Sequence, residues 1–290
     1  MFATRTGGFP IGFRRGWSDW QKDLDGVSSW AKSNGFGVID TGGDTDKIGA
    51  KVVQSGLKIG TADALDWKNL IHPDKAKRQE SVAKNVAYAK TCVEFGAKNF
   101  FIVMLPEKPE LPRKENFGYL VESMKELAPQ FDKIGARLAI EGWPGPGALC
   151  CTPEGYRALI KEVNSKSIGI NYDPSHLLRM GIDPIRFVEE FGEHVVHVHG
   201  KDTEIVAEGL YEYGYEQPAT FGKSFGFGGM SWRYTIPGHG VMRWTKAFQI
   251  LKDKGYKGAV CIELEDQYFN GKNETEQQGI LAGGQYLASC

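Results

Sequence analysis

The chain has 290 residues, 41% of them hydrophobic and 24% charged, the balance of a globular protein with a large core. Thirty-five basic against 36 acidic side chains leave a net charge of −1, which argues against a nucleic-acid partner. No apolar run approaches the ~18 residues of a membrane span, so no membrane association is expected either.

The Arg14-Arg15 pair is not followed by a hydrophobic stretch, which speaks against an export signal. Five cysteines include the vicinal pair Cys150-Cys151 but no Cys-x-x-Cys spacing, and they read as reduced thiols. The expected location is therefore cytoplasmic.

Short β-prone runs alternate with longer amphipathic segments along the chain. The predicted strands are 9–13, 37–41, 57–62, 99–105, 137–141, 167–173, 195–199 and 258–263. Their Ile, Val and Phe content suits strands buried on both faces, with Pro10 weakening the first. The predicted helices are 17–33, 74–95, 115–134, 152–163, 184–191, 242–254 and 275–289. Asn34-Gly35, Gly96, Gly135, Gly192 and Gly255 stand where helix C-caps are expected, and Thr152-Pro153-Glu154 reads as an N-cap with proline at the first helical position. Pro129 predicts a kink or an early stop in its helix.

Eight alternating β/α units predict a parallel sheet closed as a single (β/α)8 barrel domain over residues 1–290. An open doubly wound sheet would usually carry Gly-x-Gly-x-x-Gly after its first strand, and the chain has none there. The long irregular segment 203–240, rich in glycine and aromatics, falls after strand seven, where it would cover the catalytic face. Within it, 221–229 lacks Gly-Lys-Ser/Thr and reads as a flexible wall rather than a phosphate cradle.

In such a barrel the chemistry sits at the C-terminal strand ends. Strand five ends in Glu141, strand six in Asp173, strand seven in His199 and strand eight in Glu263. One carboxylate at a strand edge is more simply a rim salt bridge, but four polar ends on adjacent strands favour a shared metal ion. Three carboxylates and one imidazole suit Mn²⁺ first, then Mg²⁺ or Co²⁺, with Zn²⁺ admitted. His197 and His199 face the same side of strand seven, and His197 reads as a buried supporting residue. His176 lies on the segment leaving strand six, where it can face the same pocket.

Glu141, Asp173-Pro174-Ser175-His176, His197-Val198-His199-Gly200-Lys201-Asp202 and Glu263-Leu264-Glu265-Asp266 together resemble the sugar isomerase/epimerase superfamily with a xylose isomerase-like barrel. The likeness also covers 78–96 and Pro237-Gly238-His239-Gly240. It implies one divalent metal ion held by Glu141, Asp173, His199 and Glu263, with the two glutamates as the acid/base pair and His176 on substrate oxygens. Ketose 3-epimerases of this family carry an arginine after the strand-seven histidine, where this chain has Lys201-Asp202. Lys201 either holds substrate or makes an internal pair with Asp202. Apurinic endonucleases share the barrel but use three zinc ions and more histidines than the six here.

The expected function is isomerisation or epimerisation of a keto sugar or related polyol through an enediolate. The runner-up is a lyase or dehydratase on an oxidised sugar or glycoside, and a third class is a binding subunit that kept only the barrel. Trp67, Trp143 and Trp232 follow strands or lie in the long segment, where aromatic faces stack on sugars or simply pack the rim. Lys201, Trp67, Trp143 and His239 complete the expected substrate contacts. The only partner expected is a small carbohydrate, and homo-oligomerisation is left open.

Overall fold

The computed structural model describes residues 2–290. Its first half runs β1 (Ile11–Arg14), α1 (Asp19–Lys22), α2 (Leu24–Ser33), β2 (Val38–Asp40), α3 (Thr45–Gln54), β3 (Lys58–Ile59), β4 (Thr61–Asp63), α4 (Lys75–Glu94), β5 (Asn99–Val103), α5 (Arg113–Ile134) and β6 (Arg137–Glu141). The second half runs α6 (Pro153–Val163), β7 (Ile168–Tyr172), α7 (Pro174–Arg179), α8 (Pro184–Phe191), β8 (Val195–Gly200), β9 (Asp202–Ile205), α9 (Ala207–Tyr213), β10 (Trp232–Thr235), α10 (Trp244–Asp253), β11 (Val260–Ile262) and α11 (Asn273–Ser289).

The chain divides into two compact units. One comprises the chain up to Val38, Asp173–Gly192 and His199–Cys290; the other comprises Ile39–Tyr172 and Glu193–Val198. In the second unit β4, β5, β6 and β7 pair in parallel, and β7 pairs onward with Val195–Val198. Phe100, Ile102, Leu138 and Ile140 of these strands are buried, as are Leu120, Met124, Leu127 and Phe131 along one face of α5. The four helix positions recur at spacings of three and four, which turns them to one side. In the first unit β1 pairs in parallel with β11, Ile11 opposite Val260 and Phe13 opposite Ile262. Phe9 packs edge-on against Phe248 and Tyr256 beneath that pair.

Several predicted elements take a different form. The 17–33 helix breaks at Asp23, whose backbone is extended, into α1 and α2. The 57–62 strand breaks at Gly60 into β3 and β4. Helix α3 was not predicted: Ile48 and Val52 are its only large apolar pair one turn apart, and Gly49 weakens the pattern. Pro129 neither stops nor shortens α5, because burial of Leu127, Ala128 and Phe131 on both sides of it offsets the lost hydrogen bond.

The segment 203–240 is not irregular throughout. Strands β9 and β10 form an antiparallel pair, Thr203 opposite Tyr234, with α9 between them. All five cysteines are free and buried. Among the described residues no helix is long and apolar enough to cross a membrane.

Candidate active site

In the first unit the site begins where β7 hands over to α7. Asp173 caps that helix: its Oδ1 accepts from Ser175 N–H at 2.9 Å and from Ser175 Oγ at 2.6 Å. Pro174 takes the first helical position, where its missing N–H costs nothing. One carboxylate oxygen is thus consumed by the turn, and the other is turned toward the site. Asp173 Oδ2 lies 3.2 Å from Lys201 Nζ, 3.4 Å from His176 Nε2 and 4.0 Å from His199 Nδ1.

The Asp-Pro start also makes the segment leaving the strand, and His176 with it, helical. That histidine sits in the first turn of α7 and is only 1% exposed. Its Nδ1 is 2.6 Å from the Tyr234 hydroxyl, which accepts a hydrogen bond from Arg179 Nη1 at 2.8 Å. With Arg179 donating to the phenol oxygen, the phenol hydrogen is directed to Nδ1, so we assign the ring proton to Nε2, the edge facing Asp173. Burial raises the Tyr234 phenol well above its ordinary range, against the lowering pull of Lys201 and Arg179, so it stays protonated.

His199 and Lys201 lie two apart near the end of β8, so they project to one side. His199 Nδ1 is 3.3 Å from Glu263 Oε2. Lys201 Nζ donates to Glu263 Oε2 at 2.5 Å and to Glu265 Oε2 at 2.8 Å, and stands 4.6 Å over the Tyr234 ring. Glu263 follows the last residue of β11, and its Oε1 also meets Arg14 Nε at 3.3 Å. Burial alone would raise its carboxyl, but Lys201, His199 and Arg14 outweigh that and hold it well below the usual carboxylate range.

The alternative of a Lys201–Asp202 pair is overturned. Adjacent residues on an extended backbone point to opposite faces. Asp202 instead accepts from the N–H groups of Thr203 and Met242 and from Trp244 Nε1, tying the start of β9 to α10.

These residues suit a divalent cation. Ligand atoms of Asp173 and Glu263 lie within 4.8 Å of one another, and His199 Nδ1 stands 4.0 Å from Asp173 Oδ2 and 3.3 Å from Glu263 Oε2. Asp173 Oδ2 is buried yet takes no hydrogen bond, its approach to Lys201 being an ion-pair contact only. An anionic oxygen left so, beside a second carboxylate and an imidazole, matches the donors that hard divalent cations take.

The second unit holds the other predicted residues. Glu141 ends β6, is buried, and its Oε2 accepts from Asn171 Nδ2 on the facing position of β7 at 2.8 Å. His197 Nε2 is 2.9 Å from Asp40 Oδ2, while Asp40 Oδ1 accepts from Thr61 N–H at 2.9 Å, so His197 is the buried supporting residue expected. Trp67 and Trp143 are half-buried. His239, in the first unit, is exposed on its turn beside the Phe269 ring.

Arg14, Arg179, Tyr234 and Glu265 in the first unit, and Asp40 and Asn171 in the second, contact predicted residues without themselves being predicted. Arg14 lies one residue beyond the predicted first strand, and Tyr234 lay in a segment read as irregular, so neither had a strand-end signal.

The profile of the xylose isomerase-like TIM barrel family matches residues 23–289. The chain belongs to that family. Its fold class is the (β/α)8 barrel. Among relatives of this xylose isomerase-like chain is the uncharacterized protein YfiH of Bacillus subtilis, 38% identical over 107 residues, 34% of this chain and 31% of that protein. An inosose dehydratase of Geobacillus thermodenitrificans is 24% identical over 159 residues, 55% of this chain and 50% of that enzyme. The chain thus spans half or less of the length of these relatives. Among solved structures, the 3-keto-D-glucoside 4-epimerase YcjR of E. coli superposes with a TM-score of 0.70 at 15% identity, covering 97% of this chain and 100% of that one. The IolI protein with a bound zinc atom superposes with a TM-score of 0.64 at 18% identity, covering 96% and 95%.

Proposed function

We propose that this xylose isomerase-like chain is a divalent-metal-dependent enzyme that isomerises or epimerises a keto sugar or related polyol, working as one barrel domain. The observation that carries this is the convergence of Asp173, His176, His199, Lys201 and Glu263 in one buried polar cluster. The 3-keto-D-glucoside 4-epimerase among the structural neighbours supports it. In this reading Glu141, Asp173, His199 and Glu263 hold the metal, Mn²⁺ before Mg²⁺, Co²⁺ or Zn²⁺. When bound, the ion supplies Lewis acidity that makes a carbon next to a carbonyl acidic.

The chain's own groups do the rest. Glu263, held ionised by Lys201, is the base form needed to take a C–H proton. Glu141, buried and oriented by Asn171, is the partner that returns a proton. The Lys201 ammonium, fixed over Tyr234, offsets negative charge developing on a substrate oxygen. His176 presents Nε2–H as a donor to a substrate hydroxyl. Trp67, Trp143 and His239 meet the sugar from the half-buried and exposed sides. Reprotonation on the opposite face gives an epimer, and on the neighbouring carbon an isomer.

A second reading is loss of water from the same enediolate, favoured by the match to inosose dehydratase. Incubating the purified chain with Mn²⁺ and a panel of keto sugars in heavy water separates the two. Deuterium entering one carbon of a product of otherwise unchanged composition supports the isomerase or epimerase. An unsaturated product lacking one water supports the dehydratase. Wash-in that persists in Glu141→Gln and Glu263→Gln removes those residues from proton transfer.

A further inference from the structure

Beyond the metal cluster, the first unit contains a cleft of about 590 Å³ that opens outward from Glu263. That is within the range of small-molecule sites and adjoins the proposed reacting centre. Two aromatic rings line it, Trp17 and Phe227, and they are 78% and 43% exposed. Large rings left in water inside a concavity mark a surface built to be covered.

Phe227 carries a second, independent sign. Its φ is +54°, in the left-handed region that a bulky side chain adopts only under constraint. The surrounding turn enforces it. Phe227 O accepts from Tyr234 N–H at 2.9 Å, Gly226 N–H donates to Gln267 Oε1 at 2.9 Å, and Gly229 N–H donates to Trp232 O at 2.9 Å. The segment expected to be a flexible wall is therefore a braced turn that presents one ring to the cleft. The opposite wall is anchored as firmly. Glu276 Oε2 accepts from Ser18 Oγ at 2.6 Å and Trp20 Nε1 at 2.8 Å, fixing the stretch that bears Trp17 to α11.

Between the rings the lining is polar and of mixed charge: Arg15, Asp19, Asn270 and Asn273 beside Glu265. Acids among the arginines disfavour a phosphate. Aromatic faces with amide, guanidinium and carboxylate edges suit the alternating C–H faces and hydroxyl rims of a pyranose. We propose that this cleft is a subsite for a second sugar ring, so that the substrate is a glycoside with its reacting ring at Glu263 and its second ring between Trp17 and Phe227. This names the substrate class of the reading above and rests on it.

The test is binding rather than turnover, so it can fail separately from that reading. The full chain is titrated calorimetrically with cellobiose, maltose, lactose and melibiose, and with glucose and galactose. At least one disaccharide should bind tenfold or more tightly than its monosaccharides. Trp17→Ala should reduce that ratio to about one. Phe227→Gly, which relieves the left-handed backbone while removing the ring, should do the same with the unfolding temperature retained. Equal affinities across the panel would overturn the proposal, as would a ratio that survives both substitutions. Disaccharide preference without any deuterium wash-in would sustain the subsite and sink the isomerase reading.

Discussion

Lys201 Nζ lies 2.5 Å from Glu263 Oε2, and the same ammonium reaches Glu265 at 2.8 Å and Asp173 at 3.2 Å. A lysine 1% exposed thus serves as counter-ion to three carboxylates, two of them proposed metal ligands. Lys201→Met leaves those charges crowded in a low-dielectric site. Breaking a buried pair from one side costs about 3–5 kcal/mol, so metal-free Lys201→Met should unfold at much lower urea concentration than the parent. Because a divalent ion would supply part of the lost charge, Mn²⁺ should stabilise the variant more than the parent. Urea titrations with and without Mn²⁺ read both effects; equal midpoints throughout would mean the ammonium is not the counter-ion.

Glu263 sets an acid limit. Its folded carboxyl titrates well below its ordinary value, because Lys201, His199 and Arg14 overcome the opposing effect of burial. A depressed folded pKa gives stability that is fully present above the unfolded value, about 4.3, and lost as pH falls through the folded one. The stability advantage of the metal-free parent over Glu263→Gln should be constant from neutrality down to about pH 5 and shrink below pH 4. Denaturant unfolding at several pH values measures it, and an advantage that grows in acid would contradict the assignment.

Tyr234 is argued to position His176 rather than to touch substrate. Tyr234→Phe keeps the ring beneath Lys201 but removes the hydroxyl that meets His176 Nδ1 and Arg179. One such hydrogen bond is worth about 1 kcal/mol, so the deuterium wash-in rate should fall roughly fivefold to tenfold, with substrate affinity changed less. An unchanged rate would show that His176 needs no such brace.

Gly169, the second residue of β7, has no room for a side chain. A Cβ there would lie 2.5 Å from Val196 Cγ1 and 2.9 Å from the Leu138 carbonyl oxygen. Gly169→Ala should therefore destabilise by about 1–3 kcal/mol. Val196→Ala, added to it, should recover part of that loss, because it removes the nearer obstacle. Thermal unfolding of the single and double variants decides it.

Strand ends and helix caps were the most legible features. Residues 137–141 and 184–191 form β6 and α8 with the predicted bounds, and Thr152 caps α6 as read. Both segments combine strong local pattern with clear stops. Where local signals were weak, as in α3, or where a turn began inside a strand-like run, as at Gly60, periodicity misjudged the element.

The sequence by itself determined the alternation of strands and helices and the chemical identity of the residues at the strand ends, because both are written in local spacing. Only the tertiary structure decided which groups meet: Lys201 with Glu263, 62 positions on, and His176 with Tyr234, 58 positions on. Such contacts leave no periodic trace along a chain. They arise from the paths of strands and turns in space, which also brought Arg14 to Glu263 and braced Phe227 toward the cleft.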